Sequence, residues 1–236
     1  VMALLIAVTV SRRISDISQG ATASPISVED HAHVPAAVFN RNTLIFGFAS
    51  ACSGLIFYGF IGLYPTFLRS ELGFDANQAT LAVSMAGLGA MSAVFTGWLG
   101  DIVNQKWVLL GTFLLTAVVA WLMYGVVDQP TGQYVLAFLM GVFASGSLFT
   151  NAATAMQRSV QPARIGRGQG LFMLAYYVPA AFSGLLFAVL ASAYGWSTAG
   201  LWQLSLLAIC ASTMLLFVDR KSMIGYAPRP AKPSLS

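Results

Sequence analysis

The chain has 236 residues, 57% of them hydrophobic and only 8% charged, with a formal net charge of +4. A soluble domain carries roughly 25% charged residues, so the composition excludes a water-soluble globule. The apolar residues fall in long uninterrupted runs, which makes lipid the solvent for most of the chain and leaves no reason to expect a nucleic-acid partner.

Residues 1–10 are apolar but half the length of a span, and they stop at Ser11-Arg12-Arg13. A secretory signal carries its positive charge before the apolar core, whereas here the arginines follow it. The stretch reads as the end of a truncated transmembrane helix whose beginning lies upstream. A short re-entrant start is the alternative. Residues 11–42 are rich in Ser, Thr, Gly and Pro and hold Glu29, Asp30, His31 and His33, a composition that predicts a linker without a packed core. The two histidines stand apart from any cysteine, so no metal site is expected there.

Six runs then reach the roughly 20 residues that a hydrocarbon core of about 30 Å requires of a helix. They lie near 44–65, 80–99, 107–127, 134–156, 170–193 and 197–218, and none contains Asp, Glu, Lys, Arg or His. The short connections predict one antiparallel bundle over 43–219, followed by a Pro-rich, disordered tail over 220–236. Cys52 and Cys210 both sit inside runs and read as small buried hydrophobes.

Charge sets the sidedness. Eleven of the twelve basic residues fall in the 11–42 segment, the connections holding Lys106 and Arg158, Arg164 and Arg167, and the tail; Arg69 is the exception. Basic residues near helix ends remain cytoplasmic, which predicts that those segments face the cytoplasm.

No catalytic site or cofactor is expected, because the runs hold hydroxyls but no histidine, carboxylate or lysine to activate one. They do hold polar stripes. In the first, Ser50, Ser53, Phe57 and Tyr64 share a helical face, and Gly47, Ala51, Gly54 and Gly62 an adjoining one; in the fourth, Ser147, Asn151 and Thr154 follow one stripe, and Gly141, Ser145 and Ala152 another. The glycine faces suit helix packing. An asparagine cannot face lipid without cost, so Asn151 points either at a neighbouring helix or into a wet cavity. In the fifth run Tyr176 and Tyr177 precede Pro179, which removes a ladder hydrogen bond and permits a kink.

The connection after the second run reads Gly97-Trp98-Leu99-Gly100-Asp101 and continues to Lys106. It resembles the signature loop G-x-x-x-D-[RK]-x-G-[RK]-[RK] of major facilitator superfamily transporters. Gly97, Asp101 and Lys106 match; Ile102, Asn104 and Gln105 depart, as suits the degraded copy between helices eight and nine. The stretch Pro162-Ala163-Arg164-Ile165-Gly166-Arg167-Gly168-Gln169-Gly170 is similar to the family's loop between helices ten and eleven, and Gly195-Trp196 to its turn into helix twelve. Ala163 and Ser197 depart from the common acidic residue and arginine there.

The resemblance implies an all-α polytopic bundle: a partial span plus six full ones, equivalent to the tail of helix six and helices seven to twelve. It implies secondary active transport of a small solute by alternating access, coupled to a proton or ion, in the inner or plasma membrane, with the N-terminal half as the partner. A channel or a non-transporting membrane partner is the alternative. It places cavity-lining residues on the first and fourth runs, with contributions from the second and fifth, which makes Ser53, Phe57, Tyr58, Ser147, Asn151, Tyr176 and Tyr177 candidates. It makes Gly97, Asp101, Lys106, Arg158, Arg164 and Arg167 candidates for a cytoplasmic gate, with the three arginines as possible partners of Asp101. A solvated charge capping the following helix is the plainer reading of Asp101.

Overall fold

The computed structural model describes residues 33–225, and the helical bundle belongs to the compact unit that begins at Val34. Residues 1–10, His31 and most of the predicted linker lie outside the described residues. Among those described, six helices are long and apolar enough to cross a membrane: α1 (Arg41–Ser70), α2 (Ala76–Val103), α3 (Gln105–Gly125), α4 (Pro130–Arg158), α5 (Pro162–Tyr194) and α6 (Trp196–Leu215). Every backbone amide in a hydrocarbon core needs an internal partner, which is why apolar runs of this length become helices.

Local chemistry sets the ends. Asn40 starts α1 through a capping box: its Oδ1 accepts from Thr43 N at 3.0 Å and Thr43 Oγ1 accepts from Asn40 N at 2.8 Å. Asp75 and Gln78 do the same for α2. Gly195, at φ 84°, turns α5 into α6 in a conformation that a Cβ would disfavour. Pro179 lies inside α5, which runs unbroken from Ile165 to Tyr194.

Packing follows small residues. α1 lies along α5, and a Cβ on Gly54 would overlap the Tyr176 carbonyl oxygen. α2 meets α4 in a reciprocal contact, Gly89 against the Phe138 carbonyl and Gly141 against the Ala86 carbonyl. Backbones without side chains between them approach closely, and this supplies the contact that hydrophobicity cannot supply inside lipid. Of the predicted packing glycines, Gly54 and Gly141 serve this way, whereas a Cβ on Gly62 would meet nothing. α3 is stitched to both neighbours: Thr112 shares a 2.9 Å bond with Ser147 of α4, and Ser205 of α6 donates to the Ala117 carbonyl at 2.9 Å.

Four sequence expectations change. Asp101 does not lie in a turn, because α2, after a turn at Met91–Ser92, is helical over Ala93–Val103 and the whole reversal falls on Asn104, at φ 117°, whose side chain accepts from Lys106 N. Residues 220–225 of the predicted tail pack on the bundle: Met223 is buried and Ile224 N donates to the Arg158 carbonyl at 2.7 Å. The end of the predicted linker is docked as well, with Val34 buried and Asn40 Nδ2 donating to the Ser159 carbonyl. Cys210 is exposed on the outside of the bundle; only Cys52 is a buried thiol.

Two spans also carry π-helical segments, Gly141–Phe149 in α4 and Gly200–Leu206 in α6. Such segments shift the side-chain register by one residue within an otherwise α-helical span.

Candidate functional site

The charged end of the bundle is built around Arg158, the last residue of α4. Its Nη2 lies 2.9 Å from Asp101 Oδ1, and its Nη1 donates to Gln105 Oε1 at 3.0 Å. Asp101 is near the end of α2 and Gln105 begins α3, so one guanidinium holds both sides of the Asn104 reversal. Arg158 and Asp101 are partly open to solvent, with side chains 32% and 60% exposed, whereas Gln105 is buried. A partly exposed pair of this kind contributes roughly 0.2–1 kcal/mol, enough to bias a conformation and too little to hold the fold alone.

Close approach of α2 to α4 makes this pairing possible. A Cβ on Gly97 would sit 3.1 Å from Thr150 Cγ2, and one on Gly100 would overlap Asn151 Oδ1. Asn151 occupies the room that Gly100 leaves and donates to the Thr96 carbonyl at 3.1 Å and to the Ser147 carbonyl at 3.0 Å. It therefore faces α2, and it is 1% exposed. Ser147 turns toward Thr112 of α3.

The other candidates for a charged gate lie elsewhere. Lys106 is buried, and its ammonium donates to the Leu216 carbonyl at 2.8 Å and the Val218 carbonyl at 3.0 Å, closing the C-terminus of α6. A cation suits that position because terminal carbonyls carry partial negative charge. Arg164 donates to the Ala36 carbonyl, and Arg167 is exposed on the first turn of α5. Of the three arginines, the structure joins Arg158 alone to Asp101.

Toward mid-span, α1, α4 and α5 assemble an aromatic group. Tyr58 stands edge-on to Tyr176 and to Tyr177, each at 6.2 Å between ring centroids, and Phe57 packs edge-on to Tyr58 at 5.4 Å. Phe149 of α4 meets Tyr176 at 5.0 Å. Edge-to-face geometry places positive ring edges on negative faces. Tyr176 is buried beneath, whereas Tyr58 and Tyr177 present 36% and 44% of their surface on the same side of the bundle. Ser53, by contrast, is fully buried, and its hydroxyl has no partner among the described residues.

Two buried amides went unremarked in the sequence. Gln203 of α6 donates to the Leu55 carbonyl of α1 at 3.2 Å and the Ser183 carbonyl of α5 at 2.9 Å. Gln133 of α4 accepts from the Tyr64 hydroxyl at 2.9 Å and donates to the Met123 carbonyl at 2.8 Å. The reasoning applied to Asn151, that an amide in a span needs a partner, identifies Gln203 as well. Among the described residues no three His, Cys, Asp or Glu come together as metal ligands would.

Comparison with known proteins places this geometry in context. Residues 46–235 match the family model of the Major Facilitator Superfamily. The chain is 23% identical over 172 residues to a protein of Staphylococcus epidermidis named "Probable nitrate transporter NarT", a match covering 72% of this chain and 43% of that protein. It is 28% identical over 149 residues to "Dipeptide and tripeptide permease A" of Erwinia pyrifoliae, covering 61% of this chain and 30% of the permease. Its fold is similar to the crystal structure of a mutant peptide transporter POT in complex with sulfate, with a TM-score of 0.71 and 19% identity over 88% of this chain and 45% of that one. The chain thus spans less than half the length of these relatives.

Proposed function

Because the chain belongs to the major facilitator superfamily, we propose that it supplies one six-helix half of a secondary active transporter that carries a small polar solute by alternating access. The observation that carries this reading is the family match across all six membrane helices. Relatives named for nitrate and for di- and tripeptides support a small polar solute. They do not choose one.

In this reading Phe57, Tyr58 and Tyr177 form this half's share of the cavity wall, offering ring faces and hydroxyls on the exposed side of α1 and α5. Tyr176 supports them from behind. Ser147 and Asn151 stay within the bundle and position helices through their hydrogen bonds, and Ser53 is buried as well. The runs contain no carboxylate, histidine or lysine, so a coupling proton would be taken up outside them.

The Asp101–Arg158 pair acts as a latch at the cytoplasmic end, in keeping with the basic residues gathered there. It fixes the ends of α2, α3 and α4 in one arrangement and releases them in the other. The protein resides in the inner or plasma membrane. Reconstitution of the intact protein in proteoliposomes tests the reading: solute uptake against its own gradient, driven by an imposed ion gradient, is expected. Flux that only dissipates the solute gradient would identify a channel instead.

A further inference from the structure

Gln203 belongs to the π segment of α6 and is 1% exposed, its amide set between α1 and α5. A single nitrogen, Nε2, donates to the Leu55 carbonyl of α1 at 3.2 Å and to the Ser183 carbonyl of α5 at 2.9 Å. Where α1 and α5 touch directly, Gly54 lies against the Tyr176 carbonyl and Ala180. Further along α1, Gly59 makes room for the amide: a Cβ there would overlap Nε2 and come within 3.6 Å of Phe187. Gln203 thus spaces two helices that elsewhere pack backbone to backbone.

Its contacts flank the half-open tyrosines. Leu55 is three residues before Tyr58 on α1, and Ser183 is six residues after Tyr177 on α5, about 9 Å along the helix. Between Tyr177 and Ser183 stands Pro179, whose ring removes one ladder hydrogen bond and weakens α5 against bending. The bond to Ser183 holds α5 on the far side of that weak point.

The amide is poorly suited to cohesion alone. Its Oε1 is buried with no partner among the described residues, which is unfavourable for an acceptor. The Leu55 and Ser183 carbonyls lie inside helices, where the ladder amides four residues on also serve them. A methionine would fill the same length and leave no orphaned oxygen. What the amide alone supplies is a fixed separation between one carbonyl on α1 and one on α5.

We propose that Gln203 is a positioning residue for solute binding: by bridging α1 and α5 it sets where Tyr58 and Tyr177 stand relative to each other. This rests on the reading of those tyrosines as cavity wall.

The test labels the intact protein with 3-fluorotyrosine in nanodiscs and assigns Tyr58, Tyr177 and Tyr134 by single changes to phenylalanine. Q203M is expected to shift or broaden the fluorine signals of Tyr58 and Tyr177, to leave Tyr134 at the start of α4 in place, and to melt as the wild type does. G59A keeps the amide but takes the space of its Nε2, and is expected to move the same two signals. In proteoliposomes, with nitrate and alanyl-alanine as probes, Q203M is expected to raise KM about fivefold with Vmax near wild type, a factor of the size that one hydrogen bond gives. Unmoved Tyr58 and Tyr177 signals would overturn the proposal, as would a wild-type KM beside shifted signals. A Q203M protein that fails to fold would show that the amide holds the fold, and would overturn it too. Y58A/Y177A tests the underlying reading separately: unchanged KM in that variant would remove the tyrosines from the cavity wall, and with them the role proposed for Gln203, whatever the fluorine signals show of the bridge.

Discussion

Asp101 Oδ1 accepts from Arg158 Nη2 at 2.9 Å, and this one contact ties the end of α2 to the end of α4 across 57 positions of sequence. The same guanidinium reaches Gln105 at the start of α3. Three helix ends therefore move together or not at all while the pair is closed. With about 1 kcal/mol or less in the pair, the proposed latch would set a population and not a fold.

Asp101→Asn is accordingly expected to leave membrane insertion and thermal stability unchanged and to slow transport up to about fivefold, the factor that about 1 kcal/mol gives. Initial uptake rates at equal reconstituted protein check this. An aggregated or uninserted Asp101→Asn protein would show that the pair is structural.

Lys106 gives the opposite pattern. Its ammonium donates to two carbonyls at the end of α6, and charge-assisted bonds of this kind are worth roughly 1.5–3 kcal/mol. Lys106→Met is expected to lower Tm by several degrees, while the transport rate per folded molecule stays near wild type. A fluorescence-detected thermal melt of the intact protein separates the two effects.

The Gly100–Asn151 contact predicts a rescue. Gly100→Ala alone drives its new methyl into the Asn151 amide and is expected to cost about 1–3 kcal/mol, as overpacking does. Asn151→Ala alone forfeits hydrogen bonds to the Thr96 and Ser147 carbonyls, at about 1–2 kcal/mol. Together the two should cost less than their sum, because the methyl occupies the space that the amide vacates. Strictly additive losses in a thermal melt would mean that the two residues do not share this space.

Gly54 and Gly62 lie eight residues apart on α1 and should respond differently. Gly54→Val pushes α1 away from the Tyr176 carbonyl and is expected to reduce the yield of folded protein severely, whereas Gly62→Ala has open space and should be silent. Size-exclusion profiles of the two variants decide it.

The number and order of the spans were legible because lipid demands contiguous apolar helices, and contiguity is a property of sequence alone. The pairing of Asp101 with one of three arginines was narrowed by charge, but its choice needed geometry. Arg158 ends a helix that packs on α2, whereas Arg164 and Arg167 begin one that packs on α1. Lys106 was read as a loop charge, since nothing local shows that its nearest acceptors lie 110 and 112 positions away. Periodicity put Ser53, Phe57 and Tyr64 on one face and could not say that Ser53 and Tyr64 are fully buried while Phe57 is half-buried, nor that neighbouring Tyr176 and Tyr177 divide into one buried and one exposed ring. The two π segments, in α4 and α6, both pack against α3, contacts that lie far apart in sequence and that no local pattern shows.

A double-mutant cycle on solute uptake, with Asp101→Asn, Arg158→Gln and the pair combined in proteoliposomes of the intact protein, tests the latch most directly. Each single change should slow uptake severalfold, and the double variant should be no slower than the worse single one, since either change alone already opens the pair. Uptake at the wild-type rate in both single variants, or losses that simply multiply in the double, would contradict it.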